Sequence, residues 1–409
     1  MTLHTRCCIA GGGPAGMMLG LLLARAGIPV VVLEKHEDFL RDFRGDTVHP
    51  STLEVIHELG VLEPFLARPH SELRELRGMI GNEAVTIADF SHLPVTCPFI
   101  AMVPQWDFLN FLVDEARRYP TFQLLMRAEV FELIEQDGRI TGVRARTPDG
   151  PIDVHADLVV GADGRSSVVR SLARLPIEDV GAPIDVLWMR LSKRATDSGA
   201  SLGNIRNGHV LVMLDRGDYW QCAYVIPKDG HEALRRGGLK AFRADIVSVV
   251  PFLDDRMNEL QDWNEIKLLT VVVDRLRTWH KPGLLCIGDA AHAMSPVGGV
   301  GINLAIQDAV ATANILYGPL QHGAPSAADL QAVQRRREFP TRVTQRLQVV
   351  VQNRVIFRAL TSGAPASIPW PVRLLRAWPI LRRIPARLVG MGFRPEHVRS
   401  PEVTGTPVH

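Results

Sequence analysis

Three clusters in this chain have residue types at a spacing that suggests chemistry. Gly11-Gly12-Gly13-Pro14-Ala15-Gly16 follows the pattern G-x-G-x-x-G, and Glu34 stands about twenty residues further on. Such a loop offers backbone N–H groups to a pyrophosphate: Gly11 permits the tight turn, Gly13 lets the phosphates approach, and Gly16 lets a helix pack on the preceding strand. Glu34 is placed to accept hydrogen bonds from an adenosine ribose, and its charge disfavours a 2′-phosphate. Asp163-Gly164-Arg165-Ser166-Ser167-Val168-Val169-Arg170 carries the pattern DGxxSxxR. Gly288-Asp289-Ala290-Ala291-His292 opens a stretch that continues through Pro296, Gly299, Gly301 and Asn303, directly behind the apolar run Leu284-Leu285-Cys286-Ile287. The first cluster implies a bound dinucleotide and leaves open whether it is NAD or FAD.

Positioning these residues requires particular elements. Cys7–Ala10 reads as a strand, Met17–Ala26 as a buried helix ended by Gly27, and 28–33 as a second strand that stops at Glu34. Together they make a βαβ unit whose helix N-terminus faces the phosphates. Leu158-Val159-Val160 is a strand before the sharp Asp163-Gly164 turn. A further helix is predicted from near Gly301, through Ala305, Ala309 and Ala313, to about Tyr317. The stretch from Arg41 to Gly60 starts as a loop and becomes a helix near Ser51, and Gln105 opens another helix with Phe108, Leu109, Leu112 and Val113 on its apolar face. Between 184 and 228, "DVLWMRLSK", "GHVLVMLDRG" and "YWQCAYVIPK" read as antiparallel strands. A helix is predicted from Thr341, followed by a break at "TSGAPASIPWP" and a basic, apolar, proline-cut segment. That segment suits an amphipathic membrane-surface contact, a set of short helices capping the dinucleotide domain, or a dimer contact. Residues 394–409 read as a loose tail.

Composition narrows the class. Of 409 residues 46 % are hydrophobic and 22 % charged, as in an ordinary globular enzyme. A formal net charge of +2 gives no electrostatic reason to expect nucleic acid or an acidic partner. The five cysteines form no CxxC pair, which points to a reduced, cytoplasmic chain. No signal peptide, membrane span, HExxH, EF-hand loop or GxSxG elbow is legible, and no metal is expected.

The three motifs, in this order, resemble the fingerprints of the class A flavoprotein monooxygenases, the family of p-hydroxybenzoate hydroxylase and related aromatic hydroxylases. The resemblance implies an α/β fold: a Rossmann-like FAD-binding domain with an inserted antiparallel-sheet substrate lobe and a C-terminal helical segment. The expected division is FAD-binding parts at 1–75, 101–180 and 276–340, substrate-lobe parts at 76–100 and 181–275, and C-terminal helices and tail at 341–409. It implies FAD as cofactor, with NADPH or NADH as a transient reductant. The implied cofactor-binding set is Gly11, Gly13, Pro14, Ala15, Gly16, Glu34, Lys35, Arg44, Gln105, Val130, Asp163, Asp289, Pro296, Gly299, Gly301, Ile302 and Asn303. In the family the aspartate of the GD motif holds the ribityl chain; the alternative for Asp289 is an N-cap. An arginine like Arg44 reaches the pyrophosphate there; a solvated surface arginine is the other reading. Gln105 is implied at the diphosphate or ribityl, and the Val130 backbone at the adenine. No catalytic side chain is certain, since the oxygen chemistry belongs to the flavin. His292 and Pro296 are the weak candidates, and a hydrogen-bonded loop residue is the preferred reading of His292. Met189, Met213, Trp220, Cys222 and Tyr224 are candidates for an apolar substrate pocket, or alternatively sheet core. The implied reaction is hydroxylation of an apolar aromatic or quinone-like molecule by O₂ through a flavin C4a-hydroperoxide. Dehydrogenase, reductase or oxidase activity without oxygen insertion, and a flavin-binding redox sensor, stay open. In relatives the flavin moves between buried and exposed positions under the influence of substrate. The partners expected are substrate and O₂, in a monomer or homodimer.

Overall fold

The computed structural model describes residues 1–40, 47–197, 203–361 and 368–403. Its centre is an eight-stranded sheet in which Gly150–Gly161, Thr2–Ala10, Val30–Glu34 and Phe122–Met126 run parallel side by side, and Leu284–Cys286 pairs parallel with Gly150–Gly161. Cys7, Cys8, Ile9 and Ala10 are buried, which explains the unbroken apolar run: a central parallel strand is covered on both faces. The antiparallel pair Glu129–Gln136 and Arg139–Thr147 extends the sheet from Gly150–Gly161. The helix Pro14–Arg25 lies against the long helix Gly301–His322, and both pack into the sheet's hydrophobic core. Gly16 is fixed by this packing, because a Cβ there would sit 1.9 Å from the carbonyl oxygen of Gly11.

A second, seven-stranded sheet runs in the order Lys267–Leu269, Ile184–Ser192, Tyr219–Pro227, His209–Asp215, Gly203–Arg206, Glu75–Ile80 and Glu83–Asp89. All its pairings are antiparallel except Gly203–Arg206 with Glu75–Ile80. One face packs on the helix Leu239–Val249 and the turns after it. The other face looks towards the carboxyl ends of the parallel strands across a cavity.

The C-terminal part differs from the sequence expectation in three ways. The helix expected from Thr341 begins at Ala327, where Ser326 and Asp329 form a capping box, and it passes through the buried Pro340 to Val351. Pro340 reads as a breaker in sequence, yet the buried face on both sides of it keeps the helix continuous. The short helices Trp370–Ala377 and Arg383–Gly390 cover the Glu83–Asp89 edge of the second sheet rather than the dinucleotide domain. Residues 394–403 are packed rather than loose: Glu396 is buried and accepts hydrogen bonds from Arg336 and Arg337 at 2.6 and 3.2 Å. The amide of Val403 donates to the Arg25 carbonyl at 2.9 Å.

Candidate active site

Strand register brings the three motifs together. Ala10 pairs with Leu33 on one side and with Gly161 on the other, and Gly161 pairs with Cys286. The glycine loop, Glu34, the Asp163-Gly164 turn and the Gly288-Asp289 turn therefore all leave the carboxyl ends of adjacent parallel strands. Ligands of open α/β sheets bind at that edge. They open on one cavity of about 870 Å³ that continues to the second sheet.

Two helices present their N-termini to this cavity. Pro14–Arg25 starts behind Gly13 and Gly301–His322 behind Val300; neither has a side-chain cap or an acidic residue in its first turn. Gly13, Gly301 and Ile302 line the cavity. A Cβ on Gly13 would meet nothing nearer than the Ala162 carbonyl oxygen at 4.0 Å, so the space beside it is open to a ligand. Uncapped helix N-termini are acceptors for anionic groups.

Around them the polar groups are held in place. Glu34 Oε2 accepts from the Gly12 amide at 2.9 Å and Oε1 from the His36 amide at 3.1 Å. Asp163 accepts from Ser167 Oγ at 2.5 Å and from the amides of Val168 and Val169 at 2.7 and 3.1 Å. Burial pushes the Asp163 carboxyl up from the ordinary carboxylate range, against the pull of those donors. Arg170 is buried and pairs with Asp274 at 3.2 Å, and Asp274 accepts from the Ala293 amide at 3.2 Å. One ion pair thus ties the second motif to the third. Asp289 stands 3.6 Å from Arg165, both partly exposed to the cavity. Neither of the two tight turns after the strand takes Asp289 as its N-cap; Ile287 and Pro296 hold those places.

The comparisons with known proteins decide the family. The FAD binding domain model matches residues 4–347. A 6-methylpretetramide 4-monooxygenase of Streptomyces rimosus is 33 % identical over 399 residues, covering 97 % of this chain and 94 % of that protein. A para-nitrophenol 4-monooxygenase of Pseudomonas sp. (strain WBC-3) is 24 % identical over 81 % of this chain and 82 % of its own. Among solved structures, a probable FAD-dependent monooxygenase of Pseudomonas aeruginosa, pqsL, superposes with a TM-score of 0.74 at 21 % identity, covering 88 % of this chain and 99 % of that one. The chain belongs to the class A FAD-dependent monooxygenases.

Of the residues expected to hold cofactor in this monooxygenase, Gly11, Gly13, Pro14, Ala15, Glu34, Lys35, Gln105, Val130, Asp163, Asp289, Pro296, Gly299, Gly301 and Ile302 line the one cavity. Gly16 sits behind it as a packing contact. Arg44 lies outside the described residues. Asn303 is turned away and braces the loop before it. Its Nδ2 donates to the carbonyls of Thr47 and Gly299 at 3.1 and 3.3 Å, and its Oδ1 accepts from the His49 amide and Thr52 at 2.8 and 2.7 Å. His292 does not reach the cavity either. It is buried, its ring tilted against Trp279 at 5.0 Å, and its Nε2 lies 2.5 Å from Asp308, an environment that suits the hydrogen-bonded structural reading. Asp308 also accepts from the Gly288 amide at 3.0 Å and from Arg337 at 2.9 Å, which fixes the start of the Gly288-Asp289 turn.

The substrate-pocket candidates do not line this cavity, which fits their alternative reading as sheet core. Met189, Met213, Trp220, Cys222 and Tyr224 are buried against Phe242, Ile246 and Val249, on the face of the second sheet away from the cavity. The cavity is lined instead by their alternating neighbours: Val186, Trp188, Val210, Val212, Ala223 and Val225. Trp188 pairs with Ala223 and Val186 with Val225, so these side chains share a face. The larger residues mostly fill the core against a helix; apart from Trp188, the cavity face carries small or branched side chains that leave the room. Period-two alternation fixes that two faces exist. Only the helix Leu239–Val249 decides which is covered.

Proposed function

We propose that this monooxygenase uses NAD(P)H and O₂ to hydroxylate a neutral, apolar, aromatic molecule of polycyclic size held between the second sheet and the bound cofactor. The observation that carries the reading is that the dinucleotide cradle and a chamber walled by Val186, Trp188, Val212, Leu214, Ala223 and Ile100 are one continuous cavity. FAD, when bound, supplies the reduction of O₂ and the transfer of one oxygen atom. The chain's own residues bind and orient. The helix N-terminus at Gly13 and Pro14 would hold the pyrophosphate, with Gln105 beside it; Glu34 would hold the adenosine ribose, Val130 the adenine and Asp289 a ribityl hydroxyl. Pro296, Gly299 and Gly301 would offer the cofactor's ring system backbone with little side chain, and the helix N-terminus at Gly301 would favour negative charge developed there.

The chamber wall is apolar, so recognition rests on shape and water exclusion rather than on an ion pair. A relative named for 6-methylpretetramide favours an aromatic polyketide as the substrate type. The cysteines of the chain are all buried and unpaired, in keeping with a reducing, cytoplasmic setting. Among the described residues no helix is long and apolar enough to cross a membrane. The test is a screen of phenols and polyketide aromatics under ¹⁸O₂ with NADPH and NADH. A product carrying one labelled oxygen atom, with NAD(P)H consumed in step, is expected. Turnover that yields only peroxide or unlabelled product with every substrate would move the chain to the oxidase or reductase reading.

A further inference from the structure

We infer that the outer face of the two C-terminal helices is a docking surface for an anionic lipid bilayer. Trp370, Trp378, Ile380 and Ile384 are exposed to 72 %, 58 %, 65 % and 59 %, although they stand within one short stretch of chain. Solvent-facing apolar side chains of this size normally occur singly. The second helix is also held so that Ile384 cannot turn inward. Ala386 and Gly390 are buried against the cluster of Phe90, Leu93, Ile100 and Met102, which leaves Arg383, Ile384 and Arg387 on the opposite side of their helix.

Charge names the occupant. From Phe339 to Pro395 the sequence has ten arginines and no lysine, aspartate or glutamate, in a chain whose formal net charge is +2. Arg376 pairs with Glu83, but Arg373, Arg383 and Arg387 make no ion pair among the described residues. A second copy placed symmetrically on this face would set arginine against arginine, which is repulsive. An anionic surface is complementary. Tryptophan settles at the headgroup level of a bilayer, isoleucine below it, and arginine reaches back to phosphate. Isoleucines have no comparable place on a nucleic acid.

The docking does not depend on the proposed substrate, but the two meet in space. Leu73, Leu76, Ile100 and Met102 belong to the cluster that seats the helix and also line the cavity. Lipid would therefore lie one packing layer from the chamber, a short path for an apolar substrate dissolved in a membrane.

The experiment is co-sedimentation of the full, FAD-loaded chain with vesicles of phosphatidylcholine alone and with added phosphatidylglycerol. Binding only to the anionic vesicles, reversed by salt, is expected, with the tryptophan emission shifted to the blue. Arg383→Gln with Arg387→Gln should weaken binding by about 10-fold or more. Ile380→Ser with Ile384→Ser should abolish it, while flavin content and absorbance stay as in the parent and show that both variants fold. Equal binding to neutral vesicles, no binding to any, or binding unchanged in the variants would overturn the inference. A dimer broken by the isoleucine substitutions without vesicle binding would assign the face to a second copy. Retention on polyglutamate without vesicle binding would assign it to an acidic protein. Neither outcome touches the reaction, which the oxygen-label screen reads separately.

Discussion

At the scale of single residues, Asp289 and His49 make different kinds of contribution. Asp289 lines the cradle 3.6 Å from Arg165 and caps neither neighbouring turn, which places its carboxylate beside a ligand hydroxyl there. A charge-assisted hydrogen bond contributes about 1.5–3 kcal/mol. Asp289→Ala is expected to weaken FAD roughly ten- to hundred-fold, read by flavin retention through dialysis and by titration of the apoprotein. Undiminished retention would sink the ribityl assignment. His49 was not legible as important from sequence. Its amide donates to Asn303, its Nδ1 lies 2.8 Å from the Val389 carbonyl, and burial lowers its pKa from 6.5 to about 4. The unfolded chain therefore takes up a proton below pH 6.5 that the folded chain refuses until about pH 4. Stability attributable to this group is complete above the upper value and falls through the window as pH drops, by on the order of 3 kcal/mol. Urea unfolding across that range should show the loss, and His49→Asn, which keeps a donor for Val389 but cannot titrate, should flatten it.

At the scale of elements, what was readable from sequence follows from locality. The first βαβ unit was placed to within a few residues, because glycine spacing, a continuous apolar helix and Glu34 act over neighbouring residues; the helices at Gln105 and Gly301 start where expected. The three strands between 184 and 228 were recognisable by alternation, but their covered face was not. Coverage comes from Leu239–Val249, which is later in the chain and carries no motif. The same limit hid Asn303, His292 and the tail around Glu396, whose places depend on partners far away in sequence. The two faces of the sheet should respond differently to substitution. Ala223→Trp, in the chamber opposite Trp188, is expected to fold with normal FAD content and lose most activity on a large substrate, by at least ~10-fold in kcat/KM. Met213→Ala, on the helix-covered face, should cost about 2–5 kcal/mol of stability. The check is thermal unfolding alongside steady-state kinetics; interchange of the two phenotypes would refute the assignment of faces.

At the scale of the whole molecule, the dinucleotide cradle is single. The sequence has one G-x-G-x-x-G unit opening a βαβ fold, and Gly298-Gly299-Val300-Gly301 is not a second, since Leu304 stands at the place of its third glycine. With FAD in the cradle, NAD(P)H has no glycine-loop site of its own and must visit. Reduction in the absence of substrate would spend reductant on peroxide, so coupling between the chamber and the cradle has a clear use. The structure offers a physical link: the Gly299 carbonyl is held by Thr47 Oγ1 at 2.9 Å and by Asn303 Nδ2 at 3.3 Å. Thr47 pairs in turn with Met102, a residue of the chamber wall. A substrate that presses on Met102 therefore acts within one strand pairing of the loop beside the cofactor. The expected outcome is that the true substrate raises the rate of anaerobic flavin bleaching by NAD(P)H at least ~10-fold, equivalent to about 1.4 kcal/mol off the barrier. Thr47→Val keeps the shape and removes the hydroxyl latch, so it should raise the rate without substrate and shrink the stimulation. Stopped-flow traces with and without substrate, for parent and variant, check both statements. Equal rates in the parent would remove substrate control of reduction altogether, whereas a stimulation that Thr47→Val leaves intact would keep the control and discard Thr47 as its link.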